Sequence, residues 1–366
     1  MHTSWLLAAL GATAAVAAPA SKKSSVRTGP FTFPLPDGFP NPSAAQMQGI
    51  YKRAHGTLPN GALPNTISDT TAAVLELIAT NELFEVGYFY DLISNMTNGV
   101  SGYCVGDKGL ETQADYDLAL RALKAIDAQE QLHALGANGI LAHAGRATIV
   151  PCQYTYPVAT FEDAITFAST FTDVVLGTLQ EVIGAFAGDG DAELAPLIGS
   201  IIGNEAEQVG YFRIEHRSPI RIPSSLPFLT ASSGPFANSL LNQQVLVPGS
   251  CPNASAIAKN VPSFPALTVV TSPVTLQTTT INYSFAASSV SAASGLSVAY
   301  INGQNVPVVE AVSNPSFANG KVTFSATFPG DLHGLTIVAV TKNAGPFTSA
   351  SNVAANTVYG PGIIEL

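Results

Sequence analysis

Charge is scarce in this chain, and positive charge scarcest: 15 Lys and Arg stand against 25 Asp and Glu in 366 residues, a net charge of −10. Nucleic acids and anionic membranes are recruited by clustered cations, so neither is expected as a partner. Cysteine is nearly absent, with three residues at 104, 152 and 251 and no CxxC pair. That excludes a thiolate metal cage and a disulfide-dense scaffold; an oxidising compartment would give one disulfide and one odd thiol, with the pairing open. After the first residues no apolar run reaches the ~18 needed to span a bilayer, and Pro361 to Leu366 lacks the hydrophobic tail of a lipid-anchor signal. A Gly-x-Ser-x-Gly elbow and a phosphate-binding glycine loop are missing too, so neither serine-hydrolase nor nucleotide chemistry is expected.

What the chain has is sharply partitioned. The apolar run Trp5 to Val16, followed by Ala17, Ala18 and Ala20, reads as a signal peptide over residues 1–18, which predicts a secreted protein of the medium or the cell wall. Sequons at Asn95, Asn253 and Asn282 suit that compartment as N-glycosylation sites. Residues 19–66 are rich in Pro and Gly and read as an extended arm. From Ser68 the apolar period becomes helical, with segments over 69–96, 113–143, 160–187 and 191–217, ended by Gly99, Gly145, Gly188 and Pro219. A four-helix bundle over 67–218 follows.

Beyond residue 226 only Glu310, Asp331, Glu365, Lys259, Lys321 and Lys342 are charged, amid Ser, Thr, Val and Ala. After a linker over 219–262, alternating runs over 263–366 predict a small Ig-like antiparallel β-sandwich, with Asn302-Gly303 and Asn319-Gly320 as tight hairpin turns.

The chemistry lies in the helical seams. Spaced by three and four, the first helix reads Leu75, Ile78, Glu82, Glu85, Phe89, Leu92, and the second Tyr116, Ala119, Leu123, Ile126, Glu130, His133, Ala137, Ile140. The fourth reads Leu194, Ile198, Ile201, Glu205, Gln208, Phe212. Each seam is broken by acids near its midpoint, so antiparallel packing brings Glu82, Glu130, His133 and Glu205 to one level. Burying uncompensated carboxylates costs several kcal/mol each, so they must be protonated, hydrogen-bonded into a polar layer, or bound to a cation. Carboxylates with an imidazole suit one iron or manganese ion, and zinc is also compatible. Glu85 reads equally as a fifth ligand, a partner of a ligand, or a protonated core acid.

These residues carry a resemblance. Segment 68–217 resembles the fungal secreted ferritin-like domain family through Ala79-Thr80-Asn81-Glu82-Leu83-Phe84-Glu85 and Glu130-x-x-His133, and the whole chain is similar to late sexual development proteins. The resemblance implies a ferritin-like bundle and makes Glu82, Glu130, His133 and Glu205 the ligand positions. Two positions depart from the di-metal pattern: Gln208 stands where a second Glu-x-x-His requires His, and Thr172 is at ligand level on the third helix, with Asp173 about 100° further round. A second ion is therefore expected to be weakly held or absent. A ferritin-like topology also brings the loops after the first two helices to one end, which implies a Cys104–Cys152 disulfide and an unpaired Cys251.

The favoured function is a structural or weakly active metal-binding protein associated with fungal sexual development or stress. Its alternatives are an iron- or manganese-dependent oxidase or peroxide-handling enzyme, and a β-domain that binds cell-wall polysaccharide or a protein.

Overall fold

The computed structural model describes residues 32–215, 224–287 and 295–366. The signal peptide over 1–18 and the Pro219 stop lie outside the described residues. Four long helices form the bundle: α2 (Asp69–Thr97), α3 (Gln113–His143), α4 (Phe161–Asp189) and α5 (Ala195–Glu215), preceded by α1 (Ala44–Ala54). Hydroxyl caps start α2, α3 and α4. Ser68 accepts from the Thr71 N–H, Thr160 from that of Asp163, and Thr112 forms a reciprocal capping box with Asp115.

The arm is not simply extended. Ser43 and Gln46 close a capping box that starts α1, and Ile50 and Ala54 of that helix pack on Ala128 of α3. Arg53 of α1 pairs with Asp37, and the Gln131 amide bridges Asp37 and Asp127 at 3.1 Å each.

The segment expected as a linker carries two short helices, α6 (Gly234–Leu240) and α7 (Ala254–Asn260). Glu181 of α4 holds the first by accepting from Ser233 Oγ at 3.0 Å and the Gly234 N–H at 2.9 Å, and it also pairs with Ser351 in α8 (Ala350–Ala354). Gly177 lets the chain cross α4 closely, since a Cβ there would lie 2.3 Å from the Thr230 carbonyl oxygen.

Eight strands follow: β1 (Thr268–Val269), β2 (Thr280–Ala286), β3 (Ser297–Asn302), β4 (Val308–Ala311), β5 (Ser313–Ala318), β6 (Lys321–Thr327), β7 (Leu335–Thr341) and β8 (Thr357–Glu365). They form two four-stranded antiparallel sheets, β1-β2-β6-β5 and β4-β3-β7-β8, consistent with a β-sandwich. β3 and β7 are buried on both faces. Val298, Tyr300, Val338 and Val340 face the other sheet, while Ala299, Ile301, Ile337 and Ala339 join the bundle's core. This second burial explains why α4 is apolar on nearly every side: one face looks into the bundle and another meets the sandwich.

The Asn319-Gly320 turn has positive φ at both residues, 51° and 72°, as a tight hairpin needs. At Asn302-Gly303 only the glycine is positive, at 55°, and the loop runs on to β4. Asn302 instead spends its amide on the carbonyls of His333 and Leu335.

The disulfide differs from the expected pairing. Cys152 is bonded to Cys251, and Cys104 is free. Residues 153–155 run beside 245–247, with the Thr155 N–H donating to the Val245 carbonyl and that of Val247 to Gln153, which brings the two sulfurs together. Cys104 is held away in a compact loop, its N–H bonded to Asp107 Oδ2 at 2.8 Å.

Candidate metal centre

The seams of α2, α3 and α5 converge as their spacing requires. Each of Glu82, Glu130, His133 and Glu205 offers a ligand atom, and these four atoms lie within 4.8 Å of one another. The three glutamates are 0% exposed, while the His133 side chain retains 12%. His133 Nδ1 stands 2.9 Å from Glu130 Oε2, 3.5 Å from Glu82 Oε2 and 3.9 Å from Glu205 Oε1. Neither carboxylate oxygen of Glu82 or Glu205 has a hydrogen-bond partner among the described residues.

Burial pushes the Glu82 carboxyl up to about 7, against the pull of His133. Burial and the neighbouring acids Glu82 and Glu130 push Glu205 well above the carboxylate range. Glu130 moves the other way: burial would raise it, but His133 and the Gln208 amide hold it below its ordinary value. His133 is pushed well above an ordinary imidazole, because Glu130 and Glu82 outweigh the burial that would lower it. Without a cation, then, this pocket resists its own negative charge and keeps protons at neutral pH.

Glu85 is buried beside the cluster, with Oε1 accepting from the Asn81 amide at 3.1 Å. Burial, then Glu130, Glu205 and Glu82, push it well above the carboxylate range. This is the behaviour of a core acid next to the ligands. Gln208 donates its amide N–H to Glu130 Oε1 at 2.6 Å and to Gln129 Oε1 at 3.2 Å. Thr172 shares with Glu85 a void of about 10 Å³, roughly one water in size. Asp173 does not join the cluster. It is turned to the sandwich, 3.6 Å from Arg213 and beside Glu365 of β8.

Of the expected glycan sites, Asn282 is exposed on β2. Asn253 is half-buried, accepting from the Val150 N–H at 3.0 Å and donating to the Thr148 carbonyl. Asn95 is buried in α2 with its amide on Asp91, so the folded bundle leaves no room there for a sugar.

Sequence reasoning missed what lies on the open side of His133. Gln129 and Asn204 approach Gln208 there, and a cavity of about 320 Å³ begins. Their positions off the seam gave no signal.

The donor set fits a first-row transition metal: three carboxylates and an imidazole converge, and four buried oxygens lack any other partner. Residues 70–216 match the family model of a ferritin-like domain. Among curated proteins no match to the chain was found.

Proposed function

From a ferritin-like bundle with one converging carboxylate/His cluster, we propose that this chain is a secreted protein whose Glu82, Glu130, His133 and Glu205 bind a single iron or manganese ion. The observation that carries the reading is the set of Glu82 and Glu205 oxygens that have no hydrogen bond, converging with His133 and Glu130 within 4.8 Å. A cation relieves the mutual repulsion that otherwise keeps these acids protonated. A bound ion would add Lewis acidity or one-electron chemistry at the centre of the bundle.

The second position of a di-metal site lacks ligands. Gln208 places an N–H, not a lone pair, against Glu130, and Thr172 brings no carboxylate. One ion that holds three helices together is therefore the main role, with a part in fungal sexual development or stress proposed from the resemblance of Ala79 to Glu85. Secretion rests on the leader sequence and agrees with the Cys152–Cys251 disulfide. No described helix is long and apolar enough to cross a membrane.

An oxidase or peroxide-handling activity is the second reading, and the cavity that reaches His133 is what favours it. Elemental analysis of protein from its own secretion medium tests the first reading. One iron or manganese per chain, lost in Glu205→Gln, is expected; a metal-free protein that takes up neither ion would overturn it.

A further inference from the structure

The cavity beside His133 is long, apolar at one end and polar at the other. About 320 Å³ in volume, it falls at the small end of ligand sites. It runs along the groove between α3 and α5 and is lined on its arm side by Leu58 and Pro59. Gln129, His133 and Asn204 line one end. Ile140, seven residues beyond His133, and Leu197, seven before Asn204, line it about 10 Å further along the two helices. Leu75 and Ile198 extend this apolar wall, and Gly136 supplies width at the waist.

The polar end offers neutral hydrogen-bonding groups beside His133. Gln129 takes a hydrogen bond from Gln208 on its Oε1, which leaves its NH2 group to donate to a ligand, and Asn204 offers a second neutral amide.

We propose that this cavity binds a neutral, medium-chain aliphatic alcohol, its chain against Ile140 and Leu197 and its hydroxyl at the Gln129–Asn204 end beside His133. The binding needs only the cavity. Its relevance to chemistry at His133 rests on the metal reading above, and the two are separable by experiment.

Calorimetric titration of the full chain, disulfide intact, compares 1-butanol, 1-hexanol and 1-octanol, first after chelator treatment and then with manganese. Affinity should rise about four-fold per methylene up to octanol, as burial of each CH2 in a fitting cavity requires. Gly136→Leu, which fills the waist in a residue type that favours helix, should weaken octanol about ten-fold or more with the circular dichroism unchanged. Leu58→Asp, on the arm and outside the bundle, should weaken it too. No octanol binding, affinities independent of chain length, or wild-type affinity in both variants would each overturn the proposal. Octanol binding without manganese uptake would sink the metal reading alone, and manganese uptake without octanol binding would sink the cavity alone.

Discussion

The Gln208 amide nitrogen lies 2.6 Å from Glu130 Oε1, so the residue where a second histidine ligand is expected hydrogen-bonds the first site's carboxylate instead. It stabilises Glu130 as an anion and presents a donor, not a lone pair, to that carboxylate. The double change Gln208→His and Thr172→Glu should therefore raise metal content from one to two ions per chain. Thr172→Glu would enter the small void bordered by Glu85, which makes that acid available as a further ligand. Metal counting on both single variants and the double variant checks this; a folded double variant that still holds one ion would show that the bundle lacks room.

Metal should also set the thermal stability. At manganese concentrations about 100-fold above Kd, binding contributes about 2.7 kcal/mol, a rise in Tm of roughly 5–10 °C for a domain of this size. Glu205→Gln should lose this metal-dependent rise, and in the metal-free state it should melt no lower than wild type, because it removes a carboxyl that has no hydrogen bond. Differential scanning calorimetry with and without manganese reads both effects.

Asp127 offers a pH-dependent test away from the metal. Burial, with Asp37 nearby, pushes its carboxyl up to about 8 from an ordinary 3.8, against the pull of Arg53. The folded state thus keeps a proton that the unfolded chain gives up. Stability should fall as pH rises from about 4 to about 8 and then level off. Asp127→Asn should remove this residue's share of the slope, matching wild type near pH 4 and exceeding it above pH 8 by a few kcal/mol. Urea unfolding across that range decides, and parallel curves for the two proteins would refute the assignment.

The disulfide closes a loop of 99 residues in sequence separation, so its removal should be costly. Cys251→Ser is expected to lose about 2–4 kcal/mol, whereas Cys104→Ser should stay near wild type. Thiol labelling of the denatured, unreduced protein should modify one cysteine per chain, Cys104.

The sequence was most informative where a period met a chemical anomaly. Acids interrupting apolar seams pointed to Glu82, Glu130 and Glu205, because helical spacing alone decides which side chains face the bundle axis. The helix α1 was missed, because its capping box of Ser43 and Gln46 is hidden in a Pro-rich stretch that read as an extended arm. β5 offered no such clue: it is exposed along its length, so no alternation marks it, and only pairing with β6 makes it a strand. The cysteine partner depended on where the chain returns after α5, a property of tertiary packing. Asp173 was ambiguous for a related reason, since α4 is buried on two sides and only the structure tells which side faces the sandwich.

The Cys152–Cys251 bond also governs how damage to this molecule would be seen. A protease that cuts once anywhere between residues 153 and 250, a span holding α4 and α5, leaves both fragments covalently joined. In an extracellular setting such a nicked chain would circulate at full mass. It would run as one band on a denaturing gel and fall into two only when the thiols are reduced, so survival of the intact chain has to be judged under reducing conditions.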